Sequence, residues 1–337
     1  MNPDAVGRAG DVFEMPIERS KIRELALATG SNQEAYFGRH ACVPATFFTT
    51  MFGWMSPEHN PWSFLDINPL NSVQAFQEYE FVGAMPVAGS VLYGQSRVES
   101  IYEKTGHQGR VTLNVVIRTD FRDATGELRV ISRLVVAEFT TQSKSTSAAP
   151  HRRSGHRDLD GGGGMTRETE VMRESVANVP TPGWVAAPPG PREIGPLRLL
   201  DFVRYEGATA HFNPVHFDSE IAKRAGCDKP FAVGMLLAGY LATWATDWLG
   251  PQNVRRIWFE FRRRVWLGEM IVIGGGSFSS KDNSPLLTPT GIDIHDTRAL
   301  SADESVVHVK LSCQTPEGHA AVVGGATFVR GLQEVWA

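Results

Sequence analysis

Residues 205–250 read YEGATAHFNPVHFDSEIAKRAGCDKPFAVGMLLAGYLATWATDWLG and carry most of the information in the chain. His211 and His216 bracket Asn213-Pro214, a dipeptide that ends regular structure and starts a turn. Asp218 is placed to cap a short helix, SEIAKRAG, which Gly226 closes. A compact turn thus brings two imidazoles close to the start of the most apolar helix in the chain. That run, Phe231 to Trp248, contains Asp247 and many small residues, so it reads as a buried core helix rather than a bilayer span.

Outward from this segment, both halves show the same order: a short helix, an apolar segment, then several strands in succession. In the first half IERSKIRELALATG is a helix ended by Gly30, followed by PATFFTTMFGWM and strand-like segments at 75–81, 89–104, 109–123 and 128–141. In the second half RLLDFVRYEGAT precedes the turn. VRRIWFEFRRRV, EMIVIGGGSFS, VVHVKLSCQT and HAAVVGGATFVRG follow the apolar helix. EFVGAMPVAGSVLYG (80–94) aligns with EFRRRVWLGEMIVIG (260–274), which indicates an internal duplication. Strands that succeed one another, instead of alternating with helices, predict an α+β fold with antiparallel sheet and argue against a Rossmann topology. The glycine runs 161–164 and 274–276 have no nucleotide-loop context.

The chain has 337 residues and a formal charge of -4, with 42% hydrophobic and 21% charged residues. This describes a globular protein of two domains without the basic excess of a nucleic-acid binder. Cys42, Cys227 and Cys313 lie far apart, with no CxxC pair, which excludes a cysteine-based zinc knuckle and fits a reducing compartment. The start, MNPDAVGRAGDVFEM, lacks the build of a signal peptide, so a cytoplasmic protein with no membrane association is expected. From Ser143 the chain is almost free of apolar residues and includes Arg152, Arg153, Arg157 and four glycines. A flexible linker is therefore expected at 143–195, between an N-terminal domain (1–142) and a C-terminal domain (196–337).

Tyr205–Asp218 with Ala232-Val233-Gly234-Met235 resembles the hydratase motif of MaoC-like dehydratases, the R-specific enoyl-CoA hydratase group, whose pattern is roughly YAGASGDxNPIHxD and then AHGM. The first half, with LATG (27–30), VPATFF (43–48) and SRVESIYEKTG (96–106), resembles the degenerate dehydratase-like domain of two-repeat members. The resemblance implies a double hot-dog, two antiparallel sheets each wrapped around a long central helix. It also implies reversible hydration of a trans-2-enoyl thioester of coenzyme A or acyl carrier protein, in lipid, sterol side-chain or polyketide-type metabolism. No metal or redox cofactor is implied, and a homodimer or a heteromer with another hot-dog subunit is expected.

Carried over by position, His216 matches the family histidine and Asn213 the turn asparagine. Gly234 matches the glycine whose N–H polarises the thioester carbonyl. Phe231, Val233, Met235 and Arg262 are the further candidates for substrate contact. Two positions depart from the pattern. The family aspartate is His211 here, and the histidine of AHGM is Val233. Losing the carboxylate leaves three readings: a hydratase with a histidine pair, a thioester-binding fold turned to isomerisation, cyclisation or thioester hydrolysis, and a catalytically silent partner subunit. His211, His216 and Asp218 also have the residue types of a two-histidine, one-carboxylate metal site, although Asp218 is more simply a helix cap. His40 and Cys42 lie where the first half should carry the motif but lack its spacing. The first half is therefore read as structural, its Phe47, Phe48, Phe52 and Trp54 shaping a tunnel for the acyl chain or plain core.

Overall fold

The computed structural model describes residues 2–68, 71–105, 111–139, 186–278 and 306–330. The first half contains β1 (Phe13–Pro16), α1 (Arg19–Ala28), β2 (Ser72–Phe81), β3 (Val91–Thr105), β4 (Val111–Arg122) and β5 (Leu128–Phe139). The second contains β6 (Arg192–Ile194), α2 (Leu199–Thr209), α3 (Ser219–Arg224) and α4 (Gly234–Leu249). Then come β7 (Val254–Phe261), β8 (Ile271–Phe278), β9 (Val306–Gln314) and β10 (Ala320–Val329).

The ten strands form one antiparallel sheet in the order β1-β3-β4-β5-β2-β7-β10-β9-β8-β6. Each strand of the first half has its counterpart in mirrored order in the second, as a duplication requires. The halves join where β2 pairs with β7, from Phe76 opposite Glu260 to Glu80 opposite Arg256. At that seam Glu78, 2% exposed, is held by Arg133 Nη1 at 3.0 Å and by the Arg256 guanidinium. The expected two sheets are therefore halves of a single continuous one, because antiparallel pairing at the seam leaves neither β2 nor β7 as an open edge.

The α+β double hot-dog class holds, with one asymmetry. In α4 every residue except Gly234, Asp247 and Trp248 is buried, and β7–β10 wrap it. Gly239 is required there, because a Cβ would stand 2.4 Å from Thr29 Cγ2 of the first half. The expected long helix of the first half is only a 3-10 segment, Phe47–Gly53. The two segments are equivalent, since the bridge Cys42–Val87 repeats the bridge Phe231–Trp266 and so aligns Ala45 with Gly234. FFTTMFG combines aromatic and β-branched residues of weak helix propensity, and Pro57 and Pro61 each open a new 3-10 turn beyond it.

The boundary expected at residue 195 moves. Arg192–Ile194 pairs with Ile271–Ile273, and the carbonyls of Ala186 and Gly190 accept the indole N–H groups of Trp248 and Trp244. Chain from 186 onward thus already belongs to the second half. The expected linker over 143–185, with Gly161–Gly164 and its arginines, lies outside the described residues, as does the tip of the 96–106 hairpin.

Candidate active site

The turn grows out of the end of α2. Ala210 takes the left-handed conformation at φ 55°, where the first half has Gly30 at φ 73°. The N–H groups of Ala210 and His211 both point back to the Glu206 carbonyl, which closes the helix. Asn213 then caps the 3-10 turn Pro214–His216, its Oδ1 accepting from Val215 N–H at 3.3 Å. Asp218 accepts from Glu220 and Ile221 N–H at 2.8 and 3.0 Å, the cap expected for α3. Among the described residues no group of three His, Cys, Asp or Glu side chains has metal-binding geometry.

His216 is 8% exposed, and its Nδ1 lies 2.8 Å from the Phe231 carbonyl. A carbonyl only accepts, so Nδ1 carries the proton and Nε2 keeps a free lone pair. Burial lowers the His216 pKa to about 4, against a smaller upward pull from that hydrogen bond; His211 and Arg264 lower it further. The ring meets the edge of Phe231 at 4.7 Å. Phe231 in turn contacts Trp266 and lies under the Arg264 guanidinium, 5.0 Å from the ring centroid.

His211 comes from the same turn but faces the other half, stacking on Phe52 with ring centroids 5.8 Å apart. It is exposed, yet the protein around the ring desolvates it and lowers its pKa too. Both imidazoles are therefore neutral near pH 7. The site thus lies at the junction of the repeats, with Phe52 contributed by the half that carries no motif.

Gly234 and Met235 begin α4, where N–H groups have no intrahelical acceptor. A Cβ at Gly234 would approach Phe261 Cδ1 to 2.9 Å, so the close approach needs glycine. Val233 is the buried N-cap residue and Met235 is buried in the core, so these two side chains serve packing. Arg262 does not join the group: it is exposed and lies 3.6 Å from Glu260. Of the three successive arginines, which follow the end of β7 at Phe261, it is Arg264 that reaches Phe231.

The sequence reading missed Glu206. It is wholly buried, its Oε1 accepts the Asn213 N–H at 3.3 Å, and its Oε2 has no hydrogen-bond partner. The signal lay inside the motif, where the family pattern has alanine. The first-half equivalents of His211 and His216 are Ser31 and Tyr36, as the matching hydroxyl bonds of Thr29 and Thr209 to their helices show. Ser31 reaches Asp247 at 3.4 Å, and Tyr36 reaches Thr246 at 3.3 Å. The motif position of that half is thus spent on docking to α4. Cys42, level with Phe231, is buried, and its thiol pKa is pushed up to about 12 by desolvation.

The fold is a double hot-dog. Residues 185–281 match the MaoC like domain, and residues 4–131 match the FAS1-like, dehydratase domain region. The two matches fall on separate halves of the chain, as a pair of dehydratase-type repeats requires. A MaoC-like dehydratase of known structure is 19% identical with a TM-score of 0.68, covering 97% of this chain and 99% of its own. A MaoC-like dehydratase from Phytophthora capsici is 15% identical, TM-score 0.62, covering 98% and 100%. A conserved hypothetical protein from Mycobacterium tuberculosis, described as a double hot-dog fold, is 12% identical, TM-score 0.55, covering 95% and 96%. No curated protein sequence matches the chain. Among the described residues no helix is long and apolar enough to cross a membrane.

Proposed function

We propose that this protein catalyses the reversible hydration of a trans-2-enoyl thioester of coenzyme A or acyl carrier protein to the 3-hydroxyacyl thioester. The single observation that carries this reading is His216, buried, neutral and fixed with Nε2 unprotonated by the Phe231 carbonyl. Such a nitrogen is unprotonated, and so open to accept a hydrogen bond and then a proton from water, at any pH above about 4. The water oxygen bonds to C3 while its proton passes to Nε2 and then to C2. One water is added and no oxidant is needed. The Gly234 N–H, at the positive end of a 16-residue helix, receives the thioester oxygen as negative charge develops on it. His211 shares the turn and holds the water with His216, Asn213 shapes the turn, and Phe52 and Phe231 offer apolar surface to the acyl chain.

A second reading, a thioester-binding subunit or an enzyme for another thioester reaction, is favoured by one feature: a neutral imidazole at 211 cannot supply the anion of the family aspartate. A panel of short, long and steroidal enoyl-CoA thioesters, followed by loss of the conjugated chromophore, separates the two. Hydration predicts loss that His216→Ala abolishes; binding of the panel with the chromophore unchanged supports the second reading.

A further inference from the structure

Glu206 is a buried carboxylate where neither the repeat nor the motif pattern calls for one. Thr209 and Thr29 make the same two hydroxyl bonds to their helices, which places Glu206 level with Ala26. A methyl group fills that position in the first half. The second half buries an ionisable group there with no cation beside it. Oε1 takes the N–H of Asn213, in the middle of the turn that carries His211 and His216, and Oε2 is enclosed and unpartnered. Burying a carboxylate this way is costly, so it is kept for its position rather than for stability.

The groups around it are few. The buried residues of α1 (Ile22, Leu25, Ala26 and Ala28) carry no ionisable group, and the packed segment Phe47–Gly53 carries none. The turn brings His211 and His216. On α2 itself Tyr205 is buried with a raised pKa, Asp201 is engaged by Arg198, and Arg204 is the remaining cation.

We propose that Glu206 is a positioning residue of the site: through the Asn213 N–H it holds the 211–216 turn in register, tightly when ionised and loosely when protonated, and so makes turnover pH-dependent. The inference rests on the hydration reading. An ionised acceptor holds an N–H roughly twice as strongly as a neutral one. Burial raises the Glu206 pKa to about 7, opposed by the Asn213 hydrogen bond, so the change falls within the working pH range.

The test compares wild type with Glu206→Gln and Glu206→Asp, reading kcat, KM and histidine NMR titrations from pH 5.5 to 8.5. Gln mimics the protonated carboxyl. It should match wild type at pH 6, keep about a tenth of kcat at pH 8 with little change in KM, and lose the inflection near pH 7. Asp should restore an inflection at shifted pH. His211 and His216 resonances in wild type should carry a transition near pH 7 that is missing in Glu206→Gln. Superimposable pH profiles and superimposable histidine titrations for wild type and Glu206→Gln would overturn the proposal. If no enoyl thioester turns over, the hydration reading fails, while the histidine titrations still decide the role of Glu206.

Discussion

Neutral, buried His216 has a cost that acid should expose. Its pKa is about 4 in the fold against 6.5 in an unfolded chain. The unfolded state therefore takes up a proton first as pH falls. Stability contributed at neutral pH is lost between pH 6.5 and 4 and levels off below. Between pH 7.5 and 4.5 the loss is about 2–3 kcal/mol, from roughly two pH units at 1.4 kcal/mol each. Glu206 works in the opposite direction. Its folded pKa is raised, so it stabilises below its unfolded value near 4.5 and loses that contribution as pH rises through about 7. The two slopes offset each other in the native protein, and a pH curve of wild type alone would hide both. The informative experiment is urea unfolding of wild type and His216→Gln at pH 7.5 and 4.5. Glu206 contributes equally to both proteins, so the difference isolates the imidazole. Wild type should lose about 2–3 kcal/mol more than the variant. Equal losses would refute a neutral His216 held by the Phe231 carbonyl.

By the same linkage, Glu206→Gln should be more stable than wild type by about 2–3 kcal/mol above pH 7, with the gain disappearing below pH 4.5, as read by denaturant midpoints at several pH values. Glu78→Ala should cost about 3–5 kcal/mol, because it removes the buried carboxylate that Arg256 and Arg133 share at the seam and leaves Arg133 to Glu99 and Glu80 alone; thermal unfolding measures it. Gly275→Ala should destabilise by at least about 1–3 kcal/mol, since its Cβ would lie 2.1 Å from the Lys310 carbonyl oxygen and force β8 from β9. Gly234→Val should depress kcat of the hydration more than it depresses stability, because the added methyls meet Phe261 at the point where the thioester oxygen is to be received.

Much of the architecture was legible in residues. The order of elements, the duplication and the cap at Asp218 all came from local chemistry, and each strand segment fell within a few residues of its place. The missing helix at 47–53 was not legible, because an apolar aromatic run is compatible with either helix or 3-10 packing until its partners are known. The joined sheet was equally hidden, since pairing between β2 and β7 is a contact between distant segments. His211, His216, Asn213 and Gly234 were proposed from the motif, and their neighbourhood was not legible there. Phe52 lies in the other repeat, and the path of the chain beyond the end of β7, which brings Arg264 rather than Arg262 to Phe231, is set by tertiary contacts. Glu206 could have been found, because an ionisable residue in an alanine position of a motif is a visible departure.

The account rests on water adding to an enoyl thioester at a site built around His216. The most direct measurement incubates the protein with the enoyl-CoA panel in water labelled with heavy oxygen and follows the products by mass spectrometry, with His216→Ala and His211→Asp alongside. The account predicts label in a 3-hydroxyacyl thioester from the native protein and its loss in His216→Ala. Label absent from the native protein and present only in His211→Asp would contradict it, showing a scaffold that has given up hydration.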